Sequence, residues 1–227
     1  MWSPQHRRRL HEVWRSAGWP CQDAIEIELL AAGLLLQVFH DAGRLTLRLS
    51  DAGVQLLAAS LQRNRAAFDA HEALVARVVR EMQRAGRLAW RGLRLRAPPP
   101  DDEGPRRWPT AMPDVFSIRH TTREDLVEPI VHEIKVRRAD LLADLRQEAK
   151  RQAYLGLASQ CWYVLKAGIG SADDVPDCCG VLMAHDDAFE LARPAPRRAM
   201  RLPLATWMVL ARADAEAPPD DDGQGLL

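Results

Sequence analysis

Residues 128–136 read EPIVHEIKV, a short run that mixes apolar and charged side chains. Its β-branched residues and the proline near its start predict a strand. Side chains two apart in a strand point to the same face, so Glu133 and Lys135 project together, while Val131 and Ile134 indicate a half-buried strand. The stretch therefore predicts a carboxylate and an ammonium side by side on one strand.

A second carboxylate is expected beside this pair. Asp114 follows Pro113 and opens a short strand predicted over residues 114–118. Adjacent strands lie about 5 Å apart, so Asp114 is able to reach the same metal ion as Glu133. Two carboxylates offer the hard oxygen ligands that Mg²⁺ or Mn²⁺ prefers. Such an ion polarises a phosphoryl group and lowers the pKa of its bound water, and Lys135 would orient the nucleophile or stabilise the transition state.

The residues alone leave one alternative open. In it, Glu133 and Lys135 form a salt bridge on an exposed strand and perform no chemistry. The use of lysine bears on this alternative: 28 of the 31 basic residues are Arg, and the three lysines are Lys135, Lys150 and Lys166. Arginine presents a planar fork, whereas lysine presents a compact point charge on a flexible stem. In a chain that uses arginine almost everywhere, a lysine indicates a specific need for an ammonium.

The first 65 residues predict a small helical unit with one hairpin. Apolar spacing predicts helices over 6–17 and 23–32, strands over 34–40 and 45–49, and a further helix from Ser50 or Asp51 to about residue 62. The segment 49–57, LSDAGVQLL, resembles the junction between a wing strand and a helix in winged helix-turn-helix domains. The resemblance implies a winged-helix-like unit over residues 1–65 that contacts DNA or, alternatively, caps the larger domain.

The remainder of the chain predicts one α/β domain over residues 66–212, followed by a disordered acidic tail at 213–227. The expected helices are 70–86, 138–159 and 204–211. The expected strands, separated by a proline-rich loop at 98–109, are 87–97, 114–118, 128–136, 161–166, 181–184 and 189–192.

Residues 70 to 200 resemble the PD-(D/E)XK nuclease superfamily. Pro113-Asp114 and the Glu133-Ile-Lys135 strand supply its motif, and the helices and strands around them follow its order. The fragment EIKVRRADLLAD at 133–144, followed by Tyr154 and the strand CWYV at 161–164, is similar to the MmcB family of DNA-repair proteins. The resemblance implies an α/β fold with a restriction-endonuclease-like mixed sheet flanked by helices, preceded by the small winged-helix-like unit.

The same resemblance implies a Mg²⁺- or Mn²⁺-dependent DNA endonuclease with Asp114 and Glu133 as metal ligands and Lys135 as a catalytic residue. The superfamily often adds a glutamate from the helix before the sheet, for which Glu72 is the better placed candidate and Glu81 the other. Some relatives carry Gln four residues before the Tyr, where this chain has Lys150. Phosphate contacts are expected from the helix residues Lys150, Arg151 and Tyr154 and from the Arg-rich surfaces that include Arg106, Arg107, Arg137 and Arg138. For the helix residues, a polar face that contacts only solvent is the alternative.

Composition narrows the class of protein. Hydrophobic residues make up 47% of the chain and charged residues 27%, and no apolar run approaches the ~20 residues of a membrane span. The start of the chain does not resemble a signal peptide, and four cysteines without a paired spacing indicate a reduced, cytoplasmic protein. A Cys178-Cys179 metal site with His185 is the weaker interpretation. His132 is expected on the sheet face opposite to Glu133, with no direct metal role.

The sequence thus predicts a metal-dependent, DNA endonuclease-like protein of repair, recombination or defence, with DNA as partner and a homodimer as one possible assembly. A formal net charge of zero is unusual for a nucleic-acid binder. Two alternatives follow: a DNA-binding regulator or adaptor that keeps the nuclease fold without catalysis, and an interaction protein that binds no nucleic acid.

Overall fold

The structure is a computed structural model that describes residues 2–16, 18–41, 43–97 and 109–217. The chain folds into two units, Met1–Phe68 and Asp69–Leu227. Within the described ranges, no helix combines the length and the apolar character needed to cross a membrane. Residues 98–108, including the predicted phosphate contacts Arg106 and Arg107, and residues 218–227 of the predicted tail lie outside the described residues.

The first unit is built from helices α1 (Pro4–Arg15) and α2 (Ala24–Ala31) and a hairpin of β1 (Leu35–Phe39) and β2 (Leu45–Leu49). Gly18 receives a hydrogen bond of 2.7 Å at its carbonyl from Leu47 N–H. A Cβ at position 18 would lie 2.2 Å from the carbonyl oxygen of Leu47, and φ is +76°, so only glycine fits. The small core of this unit comprises Leu10, Val13, Leu29, Leu34, Leu35 and Leu47.

Helix α3 (Asp51–Arg84) is one helix of 34 residues that contributes to both units. Two helices, ending near residue 62 and beginning again at 70, were expected, and that prediction is wrong. The intervening residues 63–69, RNRAAFD, contain neither Gly nor Pro, so nothing in the local sequence ends the helix. At its start Ser50 Oγ accepts a hydrogen bond of 3.1 Å from Gly53 N–H, as an N-cap does.

The second unit is centred on a six-stranded mixed sheet. Its strands are β3 (Arg87–Arg91), β6 (Val115–Arg119), β7 (Ile130–Lys135), β8 (Gln160–Lys166), β9 (Gly180–Ala184) and β10 (Phe189–Arg193). Their spatial order is β10-β9-β8-β7-β6-β3. Neighbours β7, β8 and β9 are parallel, and the other pairs are antiparallel. The predicted α/β class is confirmed: helices flank a mixed sheet, and a small unit with a two-stranded antiparallel hairpin precedes it.

The sheet is covered on both faces. On one face, called here the α3 face, Val75 and Val78 of α3 pack against Ile134 and Val164. The other, the α5 face, buries Phe116, Leu141, Leu157 and Leu165 beneath α4 (Arg138–Leu145), α5 (Glu148–Leu157) and α6 (Leu204–Leu210). Successive residues of β7 therefore point alternately to α3 and to α4–α5.

The helix expected over 138–159 is interrupted, and this prediction is corrected to α4 and α5. Gln147 has non-helical angles, φ −89° and ψ 72°. Residues three or four apart are neighbours on a continuous helix, whereas residues six apart are not. The interruption allows Lys150 Nζ to lie 2.5 Å from Asp144 Oδ1, a contact that one straight helix would prevent.

The strand expected over 87–97 is also divided. β3 ends before Gly92, where φ is +55°, and the separate strand β4 (Leu95–Arg96) pairs with β5 (Thr110–Ala111) in a second small sheet. The predicted disorder of the tail is corrected for residues 213–217. Glu216 N–H donates a 2.9 Å hydrogen bond to Ala89 O of β3, and Trp90 Nε1 donates one of 3.3 Å to Ala213 O.

Candidate functional site

Asp114 is positioned by the pairing of β6 with β7. Val115 lies opposite His132 in this antiparallel ladder, which puts Asp114 level with Glu133. The Oδ2 atom of Asp114 accepts a hydrogen bond of 2.7 Å from the N–H of Ile134. The Asp114 carboxylate thus accepts a hydrogen bond from a backbone N–H of the neighbouring strand, and this bond fixes the carboxylate beside β7.

Glu133 lies at the centre of a buried group of polar side chains. It is 3% exposed. Its Oε1 accepts hydrogen bonds from Lys135 Nζ and, at 2.6 Å, from Lys150 Nζ, and its Oε2 accepts one of 2.8 Å from the Tyr154 hydroxyl. Burial raises the pKa of Glu133, the charge of Asp114 raises it further, and the two ammonium groups act in the opposite direction.

Asp144 of α4 completes this group. Its Oδ1 lies 2.5 Å from Lys150 Nζ and 3.4 Å from Lys135 Nζ, and its Oδ2 accepts a hydrogen bond of 2.7 Å from the Tyr163 hydroxyl. Burial alone would raise the pKa of Asp144, but the hydrogen bond from Lys150, the charge of Lys135 and the hydroxyl of Tyr163 hold it below its ordinary value. We call Glu133, Asp144, Lys135, Lys150, Tyr154 and Tyr163 the carboxylate network.

Two of the three lysines of the chain meet in this network. The pKa of Lys150 is lowered by burial, but the nearby Glu133 and Asp144 more than offset this and raise it overall. A lysine ammonium has three rotatable donors, so one nitrogen is able to contact both carboxylates. The expectation that Glu133 and Lys135 share a face holds in the structure, which also adds Lys150 and Asp144 from the following helices.

Helix α3 contributes His71, which the sequence analysis did not identify. His71 Nε2 lies 3.4 Å from Asp114 Oδ2, and its Nδ1 lies 3.2 Å from Glu72 Oε1. The hydrogen bond to Asp114 raises the pKa of His71. Glu72, the predicted helix glutamate, is about half exposed and faces His71, whereas Glu81 pairs with Arg84 at 2.6 Å. The sequence does contain one indication of His71, because this histidine directly precedes the predicted helix glutamate, Glu72.

The predicted phosphate-binding residues have varied surroundings. Arg138 pairs with Asp174 at 2.5 Å, which raises the pKa of its guanidinium, and Arg151 donates to Leu145 O at 3.1 Å. Tyr154 is only 3% exposed, and Lys150, although partly exposed, directs its ammonium to the carboxylate network. Arg137 is partly exposed at the start of α4.

The donor set at the end of β7 fits a hard divalent cation. Mg²⁺ usually keeps several waters and is held by one or two carboxylates, which Asp114 and Glu133 would supply. In the part of the chain that the structure describes, no group of three or more His, Cys, Asp or Glu side chains could hold a metal ion. The structure does not support the weaker interpretation, a metal site at Cys178, Cys179 and His185. His185 Nε2 pairs instead with Glu190 Oε2 at 2.9 Å.

Comparisons with known proteins are sparse. No protein-family model matches the chain, and no curated protein does. A solved structure of a protein of unknown function from Silicibacter pomeroyi is similar to 60% of this chain and to 79% of its own, with 22% sequence identity and a TM-score of 0.42.

Proposed function

We propose that this chain is a metal-dependent DNA endonuclease of the cytoplasm, acting in repair, recombination or defence, with its active centre at Asp114, Glu133 and Lys135. One observation carries the proposal: the residues that resemble the PD-(D/E)XK motif converge, with Asp114 bonded to β7 at 2.7 Å and Lys135 bonded to Glu133. A Glu–Lys pair that performs no chemistry is expected on an exposed strand, without further partners. The pair in this chain is buried, and Lys150 and Tyr154 also bond to Glu133.

Asp114 and Glu133 would hold Mg²⁺ or Mn²⁺, which when bound polarises the phosphodiester and lowers the pKa of water. Lys135 would orient the attacking water and neutralise charge that develops on the phosphate. Tyr154 would keep the second oxygen of Glu133 in place, and His71 would steady Asp114. Lys150 would balance the buried charge of Glu133 and Asp144 when no cation is bound, because buried carboxylates require a counter-charge.

The test is a cleavage assay with Mg²⁺ or Mn²⁺ on single-stranded, duplex and branched DNA. We expect wild-type cleavage that chelator abolishes and that Asp114→Asn and Lys135→Ala each reduce by at least about a hundredfold. Glu81→Gln is the matched control, since Glu81 lies on α3 and pairs with Arg84. Cleavage that survives in both Asp114→Asn and Lys135→Ala would refute this active centre.

A second candidate function is a DNA-binding module without catalysis. The observation that favours it is the complete pairing of the carboxylate network, in which each oxygen of Glu133 and Asp144 has a donor. Such a network could serve the fold alone. Salt-sensitive DNA binding without cleavage in any metal, retained by Asp114→Asn and Lys135→Ala, would select this function over the endonuclease.

A further inference from the structure

A groove of about 360 Å³ opens along α3 at the ends of three parallel strands in the second unit. Helix α3 forms one wall, and residues at or directly after the ends of β7, β8 and β9 form the other. Its lining comprises Ala70, Ala73, Leu74, Arg77, Arg80, Val136, Lys166, Ala184, His185 and Asp186. We call it the basic groove.

Positive charges outnumber negative charges in the basic groove. Arg77, Arg80 and Lys166 are cationic, and Asp186 is the opposing carboxylate. Lys166 is exposed at the last position of β8, and its ammonium makes no hydrogen bond or ion pair with any described residue. It is also the one lysine of the chain that lies outside the carboxylate network. An unpaired ammonium in a concave, basic setting attracts an anion.

Arg77 adds a donor that is already positioned. Its NH1 atom donates to the carbonyl oxygens of His185 and Asp186, and its guanidinium lies 4.3 Å from the ring centroid of Phe189. Its NH2 atom is buried and has no hydrogen-bond partner among the described residues. A buried donor without a partner costs about 1–3 kcal/mol. Because Arg77 lines the groove, a turn of its guanidinium toward a bound anion would give NH2 an acceptor.

The basic groove shares an edge of the sheet with the candidate centre. β7 ends with Lys135, which contacts the network on the α5 face, and the next residue, Val136, lines the groove on the α3 face. In the same way, His71 of α3 contacts Asp114, while its neighbour Ala70 lines the groove. A polymer that passes the candidate centre would therefore find the groove beside it on the same edge.

We propose that the basic groove binds a backbone phosphate of a nucleic-acid strand, next to the phosphodiester at the candidate centre, with Lys166, Arg80 and Arg77 as its ligands. The assignment rests on the proposed function for its choice of a polymer over a free anion. The lining contains three cations, Arg77, Arg80 and Lys166, and no Phe, Tyr or Trp among its described residues. Its one imidazole, His185, already pairs with Glu190. Such a site takes a phosphate rather than a base, so the contact holds the strand without reading its sequence.

The experiment measures binding of a fluorescein-labelled oligothymidylate by fluorescence anisotropy over a salt series, in EDTA so that cleavage does not occur. Lys166→Glu and Arg80→Glu reverse charges that line the groove, and Lys166→Gln removes the charge without reversing it. Arg212→Glu is the matched control, because Arg212 is exposed, outside the groove and unpaired among the described residues. Circular dichroism and thermal melting confirm that each variant is folded.

We expect each charge reversal in the groove to weaken binding about tenfold, and Lys166→Gln to reduce the salt slope by about 0.7, the value for one phosphate contact on a single strand. Arg212→Glu should stay within about twofold of wild type. Equal affinities in all variants, or no binding by the wild type at low salt, would overturn the assignment. Displacement of the oligonucleotide by inorganic phosphate at constant ionic strength would also overturn it, and would assign the groove to a free anion.

The readout separates the groove from the proposed chemistry. Binding that depends on Lys166 and Arg80, in a protein that cleaves nothing with any metal, would support the groove and contradict the endonuclease. Cleavage that depends on Asp114, with binding indifferent to Lys166 and Arg80, would support the endonuclease and contradict the groove.

Discussion

The ammonium of Lys150 lies 2.6 Å from Oε1 of Glu133, although α5 and β7 are separated by a helix and a break in the helical path. The same nitrogen lies 2.5 Å from Asp144. The Lys150 ammonium thus lies between two buried carboxylates. A positive charge held there by the protein itself would compete with, or partly replace, the charge of a bound cation.

Replacement of Lys150 by Met should destabilise the protein by about 2 kcal/mol. Loss of one partner from a buried pair costs about 3–5 kcal/mol, and the cost is smaller here because Lys150 is partly exposed and Lys135 remains. Chemical denaturation in EDTA measures the change. Lys166→Met is the control: it removes an exposed ammonium that pairs with no described residue, and should change the free energy of unfolding by less than about 0.5 kcal/mol.

The same variant tests competition between Lys150 and a divalent cation. If Asp114 and Glu133 bind Mg²⁺, the ion should raise the melting temperature of Lys150→Met more than that of wild type, because a ligand that binds only the folded state stabilises it. Equal shifts in wild type and variant would show that Lys150 does not oppose the cation. An Asp114→Asn, Lys150→Met double variant should lose the shift.

The two tyrosines of the chain are both in the carboxylate network and should differ in their effect on activity. Tyr154→Phe removes the donor to Glu133, and Tyr163→Phe removes the donor to Asp144. A buried hydrogen bond to a charged group contributes about 1.5–3 kcal/mol, so both variants should be destabilised by a similar amount. Only Tyr154→Phe should also weaken Mg²⁺-dependent cleavage, since Glu133 is the proposed metal ligand. Equal cleavage at matched folded fraction would contradict this role for Tyr154.

Burial and the neighbouring carboxylates raise the pKa of both hydroxyls well above the ordinary value. Because the chain contains two tyrosines, Tyr154 and Tyr163, an alkaline absorbance titration reports on the network alone. We expect no tyrosinate signal until the protein unfolds, as circular dichroism would detect in parallel. A tyrosinate signal near the ordinary pKa, in folded protein, would show that the network is open to solvent.

The sequence predicted the class of fold and most strands, because the alternation of Val131 with the polar residues of β7 and the apolar run of β8 depend on local pattern alone. It predicted that Glu133 and Lys135 share a face for the same reason. It did not predict the break at Gln147, since the helix pattern continues through that position. Contacts of Lys150 with Asp144 depend on that break, and local periodicity does not encode them.

The contribution of α3 was also missed in part. The resemblance to the nuclease superfamily predicts a glutamate from this helix, Glu72 or Glu81. Which side chain reaches the site, however, depends on the rotation of the helix on the sheet. The burial of Val75 and Val78 fixes that rotation and directs His71, rather than Glu72, to Asp114. Sequence periodicity defines the apolar stripe, but not which polar neighbour lies above a given strand end.

His71 should therefore matter more than Glu72 for cleavage. We expect His71→Gln to lower kcat by at least about tenfold, because the imidazole that contacts Asp114 is lost, and Glu72→Gln to lower it by less than about threefold. Glu81→Gln on the same helix is the control and should match wild type. A larger loss of kcat in Glu72→Gln than in His71→Gln would instead support the functional role that the sequence predicted for Glu72.

His132 predicts how stability depends on pH. It is buried on the sheet face opposite to Glu133, and burial, with a smaller effect from the charge of Arg87, lowers its pKa to about 3. The unfolded chain takes up a proton on this histidine below a pH of about 6.5, whereas the folded protein does not, so stability is lost as the pH falls through this range. Between about pH 7 and pH 5 this one group should cost about 2 kcal/mol.

His132→Leu should remove that part of the pH dependence. Leucine has a similar size and also eliminates Nδ1 of His132, which is buried without a hydrogen-bond partner among the described residues, so the variant should be at least as stable as wild type at pH 5. Urea denaturation at the two pH values measures the difference. His120→Leu, at an exposed position after β6, is the matched control and should keep the wild-type dependence. The variant and wild type should therefore differ in how much stability they lose between the two pH values, because His132 stays uncharged in the folded protein and is protonated in the unfolded chain. Equal losses in the two proteins would show that His132 is not neutral in the folded protein.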